Sequence, residues 1–317
     1  MFPMNVEVKG IASAQGWPAP ECRCASCGRL RAAGVRLDPF EAVVDGVALD
    51  DLPRTDVPGG YEVRAPGGGR VLVASGPGGT PEPQDGVEYE AVLLDLAGSP
   101  DHLGLLRRTG AVTPGTEVLA VHADHRLPSP SELERRMAFW RRPRQGPFRT
   151  LLLGGSRSGK SAEAELRLAA CPDVLYVATG PVGDDDPEWT ARVAAHRLRR
   201  PAWWGTVETT DLAGVLGSAT GPVLVDGIGT WLAAAMDETG AWEDPSRVRP
   251  RLDALVEAWR GTRARVVAVS EEVGLSLVPA TASGRAFGDA LGRLNQRLAA
   301  ESEEAALVVA GRVTDLP

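Results

Sequence analysis

The sequence predicts an α/β chain in two parts: a parallel sheet covered by helices on both faces in the second half, preceded by a smaller α+β module. Two observations carry the main prediction. Near-continuous apolar runs alternate with amphipathic stretches after residue 148, which is the pattern of strands buried on both faces between helices. The first of these runs leads directly into Gly154-Gly155-Ser156-Arg157-Ser158-Gly159-Lys160-Ser161, a G-x-x-x-x-G-K-S segment. A third observation sets the boundary. Arg141-Arg142-Pro143-Arg144-Gln145-Gly146-Pro147 suits an exposed connector, dividing a module at 1–140 from a domain at 148–317 with a linker at 141–147.

In chain order, the first half is rich in Gly and Pro and reads as short strands and turns: 42–44, 60–63, 70–74, 91–96 and 117–121, then a helix at 131–137. After the connector, strands are expected at 149–153, 174–178, 205–208, 222–225, 266–269 and 306–309. Helices are expected at 161–170, 188–199, 229–237, 247–260 and 284–301.

Strand, glycine loop and helix N-terminus together form a cradle of backbone N–H groups for phosphate, so the segment is read as a P-loop that binds a nucleoside triphosphate. Lys160 is one of only two lysines among 34 basic residues. A compact ammonium reaches between β- and γ-phosphates where the broad arginine fork does not. Ser161 is expected to hold Mg²⁺ through its hydroxyl, with Asp226, at the end of the apolar strand 223–225, as the acidic partner. Arg157 lies on the loop and can add charge stabilisation; its alternative is a solvated loop arginine.

His196 stands among Arg192, Arg197, Arg199 and Arg200. Adjacent cations favour the neutral, nucleophilic imidazole. Taken alone, however, a histidine in a basic helix is ordinarily surface.

Residues 148–317 closely resemble the adenosylcobinamide kinase / adenosylcobinamide-phosphate guanylyltransferase family of cobalamin biosynthesis. The resemblance runs through G-G-S-R-S-G-K-S at 154–161, V-L-Y-V-A-T at 174–179 and R-V-x-x-H-R-x-x-R-P ending at 201. It continues through W-x-T-V-E at 204–208, V-L-V-D at 223–226, E-V-G-L-x-L-V-P at 272–279 and G-R-L-N-Q-R-L-A at 292–299. It implies a RecA-like P-loop fold and two reactions. The corrinoid's aminopropanol hydroxyl is phosphorylated with ATP or GTP. GMP from GTP then passes through a histidine onto the new phosphate, giving adenosylcobinamide-GDP and pyrophosphate. The resemblance puts the guanylylated histidine at His196 and catalysis on His196 and Lys160. It puts nucleotide contacts at Gly154, Gly155, Ser156, Arg157, Ser158, Gly159, Lys160, Ser161, Thr179, Gly180, Pro181, Arg197, Leu198, Arg199, Arg200, Glu208 and Asp226. A homotrimer is also implied. Two departures stand out: Glu271 replaces the usual Asn before E-V-G, and 183–187 reads as two residues longer.

In the first half, Gly16 to Cys27 and Val121 to Pro128 resemble phosphodiesterase-like members of the metallo-β-lactamase superfamily. That resemblance implies a possible structural zinc on Cys22, Cys24 and Cys27 with His122 or His125, a set that satisfies tetrahedral zinc. The alternative is inert or mildly redox-sensitive thiols. The superfamily's catalytic H-x-H-x-D-H signature is missing, and Asp95 with His102 are too few for a two-metal hydrolase. The module is therefore expected to be degenerate and non-hydrolytic.

Composition narrows the partners. A net charge of −8 argues against broad nucleic-acid binding. No apolar run reaches the ~18–20 residues of a membrane span. The N-terminus lacks a signal-peptide layout, and four cysteines, three of them in 22–27, are not a secreted framework. The expectation is a cytoplasmic enzyme acting on a small corrinoid. The competing readings are a P-loop kinase without nucleotidyl transfer and a nucleotide-dependent scaffold.

Overall fold

The computed structural model describes residues 4–142, 144, 146–180, 197, 199–275 and 278–317. The chain divides into two compact units, residues 1–143 with 169–172, and residues 144–168 with 173–317. Among the described residues, no helix is long and apolar enough to cross a membrane.

The first unit contains β1 (Val6–Gly10), α1 (Ala25–Ala32), β2 (Glu41–Val44), β3 (Val47–Ala48), β4 (Arg54–Val57), β5 (Gly60–Arg64), β6 (Arg70–Ala74), β7 (Ala91–Leu94), α2 (Pro100–Arg108), β8 (Glu117–Ala120) and α3 (Pro130–Trp140). Strands β1-β2-β3 form an antiparallel sheet, and β4-β5-β6-β7-β8 form a second one. The second sheet is antiparallel through β6 and parallel from β6 to β8. Strand β7 reads Ala-Val-Leu-Leu and is buried along its whole length, as a central parallel strand must be. Trp17 is fully buried, and its Nε1 donates to Ser26 Oγ at 3.2 Å; Ser26 Oγ in turn donates to Leu127 O at 2.7 Å. This chain of bonds ties the cysteine-bearing segment to the 121–128 segment.

The second unit contains β9 (Phe148–Gly154), α4 (Lys160–Leu168), β10 (Leu175–Ala178), β11 (Gly205–Glu208), α5 (Leu212–Ser218), β12 (Val223–Asp226), α6 (Ile228–Thr239), α7 (Arg249–Gly261), β13 (Arg265–Glu271), α8 (Ala282–Ala300), β14 (Glu304–Val309) and β15 (Arg312–Leu316). Its seven-stranded sheet runs β11-β10-β12-β13-β9-β14-β15, parallel except for β15. This is the mostly parallel, helix-flanked P-loop architecture expected for the second half. One strand, β13, separates β9 from β12. Leu151, Val225 and Ala268 on the strands pack with Trp231, Leu232 and Met236 of α6 and Leu291 and Leu294 of α8 in one core.

A buried ion-pair cluster sets the position of α4. Arg167 donates to Glu163 at 2.8 Å and to Glu304 of β14 at 2.6 Å, and Arg265 of β13 donates to Arg167 O at 3.1 Å. Removing one partner of such a buried pair costs about 3–5 kcal/mol.

The structure differs from the sequence expectation at its weakest local signals. Helices α1 and α5 are short, carry Gly28 and Gly214 with Gly217, and start from the side-chain caps of Cys24 and Asp211 rather than from strong helix formers. Helix α2, absent from the sequence expectation, opens on Ser99-Pro100, with proline at its first position. The expected last strand continues into a hairpin with β15. Its two-residue turn places Ala310 (φ 48°) and Gly311 (φ 72°) in left-handed backbone, the requirement of a type I′ turn.

Alanine is strained at the first turn position, where Asn is favoured. Ala310→Asn is expected to add about 0.5–1 kcal/mol to the unfolding free energy measured in urea. Gly311→Val is expected to lower it by at least about 1 kcal/mol.

Candidate active site

Strand β9 ends at Gly154, and residues 155–159 turn the chain into α4. Arg157 (φ 57°) and Gly159 (φ 99°) hold left-handed backbone. Gly159 is doubly required, because a Cβ there would also approach Gly311 Cα to 3.2 Å. Gly311 N–H donates to Ser158 O at 2.8 Å, so the β14–β15 turn braces the loop from the side opposite β13.

The expected P-loop side chains converge at the carboxyl edge of the sheet, where ligands bind in open α/β folds. Lys160 Nζ lies 3.3 Å from Gly155 O and 3.4 Å from Glu271 Oε1. Ser161 Oγ donates to Asp226 Oδ1 at 3.0 Å, joining α4 to the tip of β12. The other carboxylate oxygen accepts from the Tyr176 hydroxyl. Burial first, and then the nearby Asp226 charge, hold the Tyr176 phenol well above its ordinary range, so it remains a donor.

Three arginines beyond His196 already have partners around this point. The Arg200 guanidinium lies 3.5 Å over the Tyr176 ring. Arg199 donates to Glu165 of α4 at 3.0 Å, which raises its pKa. Arg197 pairs with Glu208 at 2.9 Å, with both side chains open to solvent. An exposed pair of this kind is weak and easily exchanged for a phosphate. His196, Leu198 and Pro181 lie outside the described residues. Gly155 is open, with no heavy atom within 4 Å of a Cβ position. Thr179, expected at the nucleotide, is buried and donates to Gly227 O at 2.6 Å, so its hydroxyl fastens the tip of β10 to that of β12. Sequence reading missed Tyr176, whose place in an apolar strand hid its polar end. It also gave no role to Glu271 or to Asn295, which donates to Glu271 O at 3.0 Å.

A separate cluster occupies the first unit. A ring nitrogen of His125 and the Sγ atoms of Cys22 and Cys27 lie within 4.8 Å of one another, the one such group among the described residues. Cys24 Sγ caps α1 by accepting from Cys27 N–H at 3.4 Å. That bond, aided by the neighbouring thiols, lowers the Cys24 pKa, whereas burial lifts Cys27 to about 11. His122 is placed elsewhere: its Nε2 is 2.9 Å from Ala74 O, and its ring meets Phe40 edge-on. Asp95 accepts from Arg126 at 2.6 and 2.9 Å, and His102 Nε2 is 3.0 Å from Pro81 O.

Comparison with known proteins bears on the P-loop unit. The family model for cobinamide kinase / cobinamide phosphate guanyltransferase matches residues 150–316. The bifunctional adenosylcobalamin biosynthesis protein CobU of Salmonella typhimurium is 36% identical over 179 residues, covering 51% of this chain and 95% of that protein. CobU of Escherichia coli is 36% identical over 174 residues, with 51% and 95% covered. CobP of Pseudomonas aeruginosa is 40% identical over 170 residues, with 52% and 94% covered. A match over more than half of the chain, which takes in the converging P-loop residues, places this protein in the cobinamide kinase / cobinamide phosphate guanyltransferase family.

Proposed function

We propose that one P-loop serves both reactions of this bifunctional enzyme. Convergence of Lys160, Ser161 and Asp226 at the end of β9 is the observation that carries the reading. In the first reaction, the aminopropanol hydroxyl of adenosylcobinamide attacks the γ-phosphorus of ATP or GTP, and the nucleoside diphosphate leaves. The loop N–H groups and Lys160 bind the phosphates, and Lys160 neutralises charge as the bridging bond breaks. In the second, a His196 ring nitrogen attacks the α-phosphorus of GTP and pyrophosphate leaves. The corrinoid phosphate oxygen then attacks the same phosphorus, breaks the P–N bond and frees the histidine. Arg197, Arg199 and Arg200 exchange their present partners for phosphate oxygens during this relay. Glu208, once Arg197 is drawn away, is left to accept from guanine or ribose.

Mg²⁺ fits Ser161 and Asp226. Both offer hard oxygen donors, and their 3.0 Å separation matches the edge of an octahedron with ligands at about 2.0–2.1 Å. Bound there, the ion would supply charge neutralisation at the transferring phosphates. Tyr176 holds the second Asp226 oxygen in position.

Three ligands for a structural zinc converge in the first unit, Cys22, Cys27 and His125; Cys24 lies outside that group and caps α1, and His122 is excluded by its bond to Ala74. Asp95 is neutralised by Arg126 and His102 is turned to a carbonyl, which supports a non-hydrolytic module.

Three experiments test these assignments. Lys160→Ala is expected to lower both activities at least about 100-fold. His196→Ala should abolish GMP transfer to supplied corrinoid phosphate and leave the first phosphorylation within about threefold of wild type; loss of both would remove His196 from its assigned role. Metal analysis should find zinc that is lost in Cys27→Ala and His125→Ala and kept in His122→Ala. A zinc-free wild type would contradict the site.

A further inference from the structure

We propose that Glu271 is the proton acceptor in the phosphorylation step, a catalytic role that rests on the two-reaction reading above. Glu271 is the last residue of β13 and pairs in register with Gly154, the first glycine of the loop. Its backbone is fixed from both sides. Asn295 donates to its carbonyl at 3.0 Å, and Ser270 Oγ donates to Asn295 Oδ1 at 2.7 Å. The next residue, Glu272, donates its N–H to Gly154 O at 3.2 Å. The Glu271 backbone is thereby tied to the first glycine of the P-loop.

Its two oxygens have different surroundings. Oε1 lies 3.4 Å from Lys160 Nζ. Oε2 is buried and has no hydrogen-bond partner among the described residues. A buried acceptor left unmade costs about 1–3 kcal/mol, and more when charged. With Oε2 shut off from solvent and the side chain 37% exposed, Oε1 is the carboxylate oxygen that a substrate can reach. The packing around Oε2 is specific. A Cβ on Gly229 would stand 2.1 Å from Oε2, so a larger residue in the first turn of α6 would displace the carboxylate from this position. That turn is the positive end of the helix dipole and suits an anion.

Incoming phosphates draw Lys160 away from Glu271, which leaves a carboxylate beside the γ-phosphate. An amide, implied here by the family resemblance, can only hydrogen-bond; a carboxylate can also take a proton. The corrinoid hydroxyl donates to Oε1, which Lys160 has vacated. As its oxygen bonds to the γ-phosphorus, the bond from that phosphorus to the β,γ-bridging oxygen breaks. The nucleoside diphosphate leaves with that electron pair, and the hydroxyl proton passes to Glu271, which later returns it to solvent. Guanylylation, at the α-phosphorus with a histidine nucleophile, makes no such demand.

The test measures both reactions on the full chain, one with ATP and adenosylcobinamide and the other with GTP and supplied adenosylcobinamide phosphate. In Glu271→Gln the phosphorylation kcat is expected to fall about 100- to 1,000-fold with the nucleotide KM within about threefold. The ratio of phosphorylation to guanylyl transfer should fall at least about 30-fold. Glu271→Asp, which keeps the carboxylate, should recover at least about tenfold over Gln. An unchanged ratio in Glu271→Gln, or Asp no better than Gln, overturns the proposal while leaving the two-reaction reading intact. A wild type that phosphorylates nothing overturns that reading instead.

Discussion

The hydrogen bond from Ser161 to Asp226 is the constraint on which the site depends. It joins the first turn of α4 to the tip of β12 across the intervening β13. It holds only because three parallel strands end in register, with Gly154 beside Glu271 and Val269 beside Asp226. Near-continuous apolar sequence in β9, β12 and β13 fixes that register from below, through a core shared with α6 and α8. The polar atoms at the sheet edge thus inherit their positions from buried side chains that take no part in chemistry.

Around this bond, charges are balanced in pairs that ligands can exchange. Lys160 rests between Gly155 O and Glu271, Arg197 on Glu208 and Arg199 on Glu165. Each of these three cations has a carboxylate to return to, which limits self-repulsion around the proposed nucleotide site. Tyr176 differs: buried and kept protonated, it donates to Asp226 and offers its ring face to Arg200. One side chain therefore links the carboxylate to the arginine segment that follows His196.

Legibility in the sequence followed the strength of the local signal. Strands β9, β12 and β13 and helices α4, α6, α7 and α8 announce themselves by long apolar runs or by 3.6-residue periodicity. The P-loop is readable because its backbone geometry demands a fixed spacing of residue types. Helix α5 and the turn at Ala310-Gly311 are not, because a cap, two glycines and a non-glycine residue at positive φ are decided by tertiary contacts. Site partners such as Tyr176 and Asn295 sit in segments whose apolar pattern reads only as core. Their polar ends gain meaning once the strands are aligned. The imidazole partner of the cysteine cluster was likewise ambiguous in sequence. His122 and His125 are three residues apart, and only the fold directs one ring to Ala74 and the other to Cys22 and Cys27.

The most direct test of the account is mass spectrometry of the intact protein, then of its peptides, after incubation with GTP and Mg²⁺ in the absence of corrinoid. A mass increase of one GMP, carried by the His196 peptide and released by mild acid, is the predicted result. An unmodified protein that still binds GTP would contradict the relay and leave the P-loop with phosphorylation alone.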